Sequence, residues 1–492
     1  MSPTALRVAT RLPGSHGPLF RRGHAVTQKG VPHCRDGGSA ARSGAFMLEQ
    51  IHVGMLGGGT VGSGVFHHWQ RNGALLAARL GVALNLRRVA VKALDEPRPY
   101  PIPRAVLTTD WKAVVHDPQV RVVVELVGGT TLARTMVLEA LRLGKPVVTA
   151  NKALLSAHGE ELFAAAHRAG VNLYYEASVA GGIPIIKALR EAFVGNRITH
   201  LYGIVNGTCN YILSRMEQEG ADFATVLAEA QRQGYAETPP DLDVDGHDAL
   251  HKTGILASLA HGFWVRPEQI YVEGIRHISR LDMQFAGQLG YTIKLLGIVK
   301  VLDGAGGAGR RPRATGPRLQ VSVYPALLPK AHLLAGVHGV FNAVFVRGDV
   351  VGDTLFYGRG AGKDATASAV LSDLADAALD LVHGSARRVP AFVAHERAGI
   401  VVPLGRVISR AYVRLSVVDR PGVIAKISAI LGAARIGIAS IIQPEGHEGE
   451  VVPLILMIHD APNATLERAL ARIARLPVVK APPVRIRVEN LA

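Results

Sequence analysis

Short apolar runs alternate with longer stretches of helical periodicity over the first third of the chain. Ile51–Leu56 is such a run, and Arg88–Ala93, Val120–Val127, Pro146–Thr149 and Leu173–Ser178 repeat the form. Val120–Val127 is nearly all valine, as expected of a parallel strand buried on both faces. Between two of these runs, Ala133–Leu143 has apolar residues at helical spacing and closes at Gly144, a C-cap residue. Strand–helix alternation of this kind predicts an α/β fold with an open parallel sheet. Ile198–Val205, Ile293–Val301, Leu319–Tyr324, Val340–Arg347 and Thr354–Tyr357 predict a second, mixed sheet, and Ala367–Leu381 a long helix. The tail reads as strand Tyr412–Val418, a turn at Asp419-Arg420-Pro421-Gly422, and helix Val423–Ala434. Strands Ile438–Gln443 and Val451–Ile458 follow, then a helix from Asn463 or Thr465 and a last strand Val484–Val488, giving the order βαββαβ.

A chain of 492 residues exceeds one ordinary core, so two to four domains are expected. No apolar run is long enough to cross a bilayer, which argues against a membrane partner. Two cysteines, Cys34 and Cys209, make neither a disulfide framework nor a thiolate metal site, and a reducing, cytoplasmic setting is the simplest reading. The formal charge of +16 is scattered and lacks nucleic-acid motifs, so no nucleic-acid partner is expected. Part of that charge sits in residues 1–46, where seven basic residues stand against Asp36 alone. Glycine and proline break any helix there, and the stretch reads as a disordered extension or a start placed too early. Residues 303–318, rich in glycine, proline and arginine, read as a flexible insertion.

Candidate chemistry begins where the first strand meets Gly57-Gly58-Gly59-Thr60-Val61-Gly62 and a helix. This is G-x-G-x-x-G in its required context, a dinucleotide-binding turn. Gly57 allows the tight turn, Gly59 lets backbone amides approach a pyrophosphate, and Gly62 allows close helix–strand packing. Lys92 at the end of the second strand and Arg98 beyond it suit a ribose phosphate, favouring NADP, while Asp95 keeps NAD open. Gly128 ends the valine run, and the next strand delivers Asn151 and Lys152 to the carboxyl edge, where open α/β sheets bind ligands.

The most suggestive stretch is Gly234–Gly254, which gathers Glu237, Asp243, Asp248 and Lys252. Asp245 is placed to cap a helix with Asp248 in its first turn, and Asp248 and Lys252 lie one turn apart on one face. A cap plus a solvated surface ion pair is the plain alternative. The apolar helix behind the loop argues instead for a pocket suited to a small zwitterion. His247 and His251 lack the glutamate of H-E-x-x-H, so zinc is not expected.

These segments resemble homoserine dehydrogenase. The pattern Gly234-Tyr235-Ala236-Glu237, Pro240, Asp243, Gly246, Asp248 and Lys252 carries the likeness, with Thr149–Leu154, Asn206-Gly207-Thr208 and Gly358–Gly362 in support. Pro239 departs from it, since the family usually has Asp, Asn or Ser there. The resemblance implies interconversion of L-aspartate-4-semialdehyde and L-homoserine with NADP or NAD. Lys152 and Lys252 are the implied catalytic residues. Glu237 and Asp248 would meet the substrate amino group, Asp243 would orient Lys252 or the loop, and Asn206, Gly207 and Thr208 would hold substrate or nicotinamide. Thr60, Val61, Gly360 and Gly362 would join the cofactor contacts. A monovalent cation, Na+ or K+, would bind Glu176 and the carbonyls of Val179, Gly181 and Ile183. The tail resembles an ACT domain and implies L-threonine as effector.

The expected architecture is α/β throughout. A Rossmann-type nucleotide-binding domain spans 47–180 plus 358–390. An α+β substrate-binding and dimerisation domain with a mixed sheet spans 181–357, a linker 391–410, and an ACT-like domain 411–492. A homodimer or homotetramer is expected.

Overall fold

The computed structural model describes residues 48–302, 316–386 and 388–491. The expectations for residues 1–46 and for most of the 303–318 stretch lie outside the described residues.

The first sheet is built from β1 (Glu49–Leu56), β2 (Val82–Ala90), β3 (Leu107–Thr108), β4 (Val122–Glu125), β5 (Val147–Thr149) and β6 (Leu173–Tyr174). All pairings are parallel, in the order β3-β2-β1-β4-β5-β6. This is the doubly wound order of a dinucleotide-binding fold. Its crossovers include α1 (Thr60–Leu80), the short α2 (Lys112–Val115), α3 (Thr131–Arg142) and α4 (Lys152–Ala169). The second strand starts earlier than its apolar pattern suggests. Helix α1 stops at Gly81 in the left-handed region (φ 67°), and the chain extends at once, which leaves Lys92 two residues past the strand. The run Leu173–Ser178 is a strand only over its first two residues, and Glu176–Ser178 is a 3-10 turn.

The chain then makes α5 (Ile185–Lys187), β7 (Ile198–Ile204), α6 (Gly207–Glu219), α7 (Phe223–Arg232), α8 (Asp241–Val244) and α9 (His247–His261). Next come β8 (Tyr271–Val272), α10 (Arg280–Gln288), β9 (Tyr291–Val301), β10 (Arg318–Pro329), β11 (Phe341–Gly348) and β12 (Gly352–Arg359). Helix α11 (Lys363–Val382) returns to the first sheet and packs on α1, sharing a core in which Val65 and Trp69 meet Val370 and Leu374. Each such fully buried aliphatic side chain contributes ~1.5–3 kcal/mol. The tail forms β13 (Ile400–Val401), β14 (Ile408–Val418), α12 (Val423–Ala433), β15 (Ile438–Ile442), β16 (Val451–Pro462), α13 (Asn463–Ile473) and β17 (Val484–Val488).

The second sheet runs β12-β11-β7-β9-β10-β17-β14-β16-β15. Strand β10 is its pivot. One edge pairs with β9 antiparallel along its whole length. The other edge is shared, all parallel, by β13 at Arg318–Leu319, β8 at Ser322–Val323 and β17 at Ala326–Leu327. The βαββαβ tail therefore continues the central sheet.

A buried ion pair fastens this junction from the side. Asp282, fully buried in the first turn of α10, accepts from Arg414 Nε at 2.7 Å and Nη2 at 3.0 Å, and from Tyr412 at 3.0 Å. Burial opposes its charge, but hydrogen bonds from Arg414 and Ser279 outweigh that and hold the carboxyl below its ordinary value. Replacing Asp282 with Ala leaves a largely buried guanidinium unpaired, which is expected to cost ~3–5 kcal/mol of stability at neutral pH. Because the folded value lies below the unfolded one, the contribution is complete above the ordinary aspartate range and is lost as pH falls through the folded value. Urea denaturation of wild type and Asp282→Ala at pH 7 and near pH 3 should therefore show a gap that narrows in acid.

Candidate active site

The glycine turn after β1 has the geometry expected of it. Gly57 sits at φ 101°, donates to Ala90 O at 2.8 Å, and a Cβ there would strike the Leu126 carbonyl. A Cβ on Gly62 would lie 2.1 Å from Gly57 O, so the close approach of helix and turn requires glycine. Nothing lies within 4 Å of a Cβ built on Gly59, and no side chain caps α1. The turn thus presents uncapped amides to open space, the arrangement that receives a phosphate. Thr60 and Val61 form the first helical residues beside it.

The loop after β2 changes the reading of its charged residues. Arg98 donates to the carbonyls of Ala93, Leu94 and Glu96, so its guanidinium shapes the loop and is not free for a ribose phosphate. Asp95 pairs with Arg104. Lys92 is exposed and has no hydrogen-bonding partner among the described residues, which leaves it as the cation available to a nucleotide. The far end of the loop is pinned where Tyr100 stacks on His67 at 4.0 Å, under Lys363.

Gly128 and Gly129 both adopt positive φ, and buried Glu125 organises the turn. Its carboxylate accepts from Val127 N at 2.8 Å, Gly128 N at 3.2 Å and Thr149 Oγ1 at 2.7 Å. Asn151 caps α4 by accepting from Leu154 N and donates to Gly129 O at 2.7 Å. Lys152 is thereby held at the carboxyl edge of the sheet, as the first residue of α4.

Lys152 and Lys252 converge on one carboxylate. Lys152 Nζ lies 3.2 Å from Asp248 Oδ1, and Lys252 Nζ 2.7 Å from Asp248 Oδ2. Lys252 is buried and donates also to Val205 O at 2.7 Å. The plain alternative, a solvated surface pair, does not hold: both partners are largely shielded, with side chains 9% and 12% exposed. Burial raises the Asp248 pKa, but the two lysines, with hydrogen bonds from Lys252 and Asn206, outweigh it and hold the carboxyl well below its ordinary range.

Asn206 ties this centre to the acidic loop. Its Nδ2 donates to Asp243 Oδ1 at 2.8 Å and Asp248 Oδ2 at 2.9 Å, while its Oδ1 accepts from Cys209 N and caps α6. Asp243 is the weaker acid of the two, raised chiefly by burial against the Asn206 hydrogen bond. It makes no hydrogen bond to Lys252, so it does not orient that lysine directly. The carboxylate that meets both lysines is Asp248, the acid expected at the substrate amino group. Glu237 is exposed on the same loop. Thr208 donates its hydroxyl proton to Tyr235 O at 2.5 Å, which fixes that loop and leaves only its acceptor lone pairs for a ligand. Gly207 is required by packing, since a Cβ would meet Val340 O at 2.7 Å.

The expected cap at Asp245 is also not formed. Gly246, at φ 86°, starts α9, and Asp245 joins Asp241 on Arg276. A left-handed residue at the boundary lets Asp248 turn inward instead of capping.

The turn at Gly360 closes over this junction. A Cβ on Gly360 would overlap the side chain of Asn342, and Gly362, at φ 106°, starts α11. Asn342 is buried, and neither polar atom of its carboxamide has a partner among the described residues. Its place between Gly207 and Gly360 was not legible in the sequence, where it is one asparagine in an apolar strand.

The candidate cation site is mixed. Glu176 accepts from Ile186 N at 2.9 Å and Lys187 N at 2.7 Å, and the Ile183 carbonyl accepts from Ile185 N. The carbonyls of buried Val179 and Gly181 accept no hydrogen bond among the described residues. Burial raises Glu176, and buried Asp373 beside it is raised further by burial and by Glu176 itself. Two unpartnered carbonyls beside two buried acids fit a monovalent cation held by oxygen.

Comparison with known proteins gives the family. Residues 57–176 match the model of the homoserine dehydrogenase NAD-binding domain, 184–375 that of homoserine dehydrogenase, and 411–478 that of the ACT domain. The chain is 42% identical over 449 residues to homoserine dehydrogenase of Pseudomonas aeruginosa, covering 90% of this chain and 100% of that one. It superposes on a homoserine dehydrogenase from Thiobacillus denitrificans with TM-score 0.81 at 43% identity, covering 90% and 99% of the two chains. A hyperthermophilic archaeal homoserine dehydrogenase in complex with NADPH matches at 25% identity and TM-score 0.54, covering 67% of this chain and 98% of that one. With its Rossmann domain, mixed-sheet domain and βαββαβ tail, the chain belongs to the homoserine dehydrogenase family of NAD(P)-dependent oxidoreductases and carries a C-terminal ACT domain.

Proposed function

We propose that the protein catalyses the reversible reduction of L-aspartate-4-semialdehyde to L-homoserine, with NADPH preferred, in threonine, methionine and isoleucine biosynthesis. The observation that carries this reading is the pair of lysines anchored on one buried carboxylate at the mouth of the nucleotide fold. A reduced nicotinamide, when bound, supplies hydride to the aldehyde carbon. Negative charge then develops on the carbonyl oxygen, and a fixed cation is the group that stabilises it. Lys252 donates to Val205 O and Asp248. One of its three N–H bonds remains to meet that oxygen and pass a proton. Lys152, more exposed and on the sheet edge, completes the cationic wall. Asp248 holds both ammonium groups, which leaves Glu237 and Asp243 for the substrate ammonium.

Lys92 supports the preference for NADPH, and so does the archaeal relative's complex with NADPH. The residues at Val179, Gly181 and Glu176 would hold a sodium or potassium ion, supplying charge at the domain junction. L-Threonine is the proposed inhibitor. It would bind in a cavity of about 450 Å³ at the Asp419–Gly422 turn, whose Asp419 accepts from Gln443 at 3.0 Å. The enzyme is proposed to act in the cytoplasm as a homodimer or homotetramer.

Steady-state assays of homoserine oxidation test these points. Lys252→Ala should lower turnover by ~10²–10⁴-fold with cofactor affinity, measured by fluorescence titration, nearly unchanged; unchanged turnover would remove the proton-transfer role. Lys92→Ala should raise the KM for NADP while leaving that for NAD in place, and equal shifts would show that Lys92 reads no phosphate. Threonine should inhibit wild type and lose potency against Asp419→Ala, whereas equal inhibition of both would move its site elsewhere.

A further inference from the structure

The face of β17 that carries Arg485 and Arg487, with Glu489 one residue past the strand, is polar, yet β17 lies in the middle of the sheet. Two of these three residues are fully paired. Arg487 is buried between the rings of Tyr271 and Tyr324, at 4.9 and 4.6 Å from their centroids. It donates to Glu273 at 2.8 Å and to Asn463 at 2.9 Å. Glu489 accepts from Tyr324 OH at 2.7 Å and from Lys300.

Arg485 differs. It is half-buried, lines a cleft of about 480 Å³, and has no hydrogen bond or ion pair among the described residues. Glu273 lines the same cleft but already serves Arg487, Tyr271 and His277. Burial weakens the hold of Arg485 on its proton, as does the neighbouring charge of Arg487. A half-buried guanidinium with no protein acceptor among the described residues has its donors open to the cleft, and a carboxylate is the ligand that meets it bidentately.

Helix α13 contributes Glu467 to the cleft, exposed and also without a direct partner among the described residues. Glu467 and Arg485 attract each other but are not within ion-pair distance. Leu470, Ala471 and Pro483 supply apolar surface between them. Opposite charges that line one cleft without pairing match a small molecule that bears both.

We propose that this cleft, formed where α13 and β17 meet the β8 segment, binds a small α-amino acid, with its carboxylate on Arg485 and its ammonium on Glu467. It shares no residue with the cavity at the Asp419 turn and none with the active site. An occupant touches Tyr271, Glu273 and His277. The same segment holds the acidic loop from its other side, through Ile275 N to Val244 O at 2.8 Å and Arg276 to Asp241 and Asp245. The site is thus placed to bear on the substrate loop.

Calorimetric titration of the full-length protein with glycine, L-alanine and L-threonine tests the proposal independently of turnover. At least one should bind saturably, with affinity at least ten-fold weaker in Arg485→Met and in Glu467→Gln and unchanged in Asp419→Ala. Acetate and ethylamine, each bearing one of the two charges, should both compete, and each more weakly than an amino acid. Removing an unpaired guanidinium should leave the thermal midpoint of Arg485→Met unchanged or higher, and Glu467→Gln changes only an exposed position. Absence of any saturable binding that persists in Asp419→Ala would overturn the proposal, as would such binding that survives both cleft variants.

Discussion

A carboxylate taken out of water must be compensated, and in this protein that requirement organises the candidate catalytic centre. Asp248 is stable as an anion only because Lys252, Lys152 and Asn206 meet it. Each comes from a different place: Lys252 from the same helix, Lys152 from the carboxyl edge of the first sheet, and Asn206 from the end of β7. Neutralising that one charge therefore brings the nucleotide domain and the substrate domain into register. The same geometry gives the two loop acids different characters, one firmly ionised and one raised by burial. Environments that separate like groups in this way let them take separate tasks.

Much of this was legible in the sequence because the signals were local. The glycine turn follows from strand, glycines and helix in immediate succession, and α9 from an apolar pattern with Asp248 and Lys252 one turn apart. Lys152 was legible from its position after a buried strand. What could not be read were competitions among several partners at a distance. Arg98 looked like a phosphate ligand, but three carbonyls of its own loop take its protons. Asp245 looked like a cap, but Arg276, thirty-one residues on, draws it away. Thr208 was expected to face a ligand, and its proton goes to the Tyr235 carbonyl. In each case the residue type was read correctly and the partner was not, since hydrogen bonds are settled by tertiary neighbours. Asn342 is the extreme example, because nothing near it in the sequence marks a carboxamide buried against two glycine turns.

The tail illustrates the same division. Its element order was readable from period and turn chemistry alone. Its attachment was not, because β17 adds to β10 through two residue pairs only, and the larger part of the joint is Arg487 between two tyrosine rings and Asp282 gripping Arg414.

The edge of β10 that receives β13, β8 and β17 has a consequence for how such a chain can be shortened or recombined. A cut placed after residue 410 would strip away β17 and leave main-chain donors and acceptors of the central strand facing solvent beside Tyr271 and Tyr324. An uncovered strand edge flanked by aromatic rings is a template for adventitious pairing between molecules. The ACT domain is therefore also a selvedge for the central sheet, and any replacement module would have to finish that border.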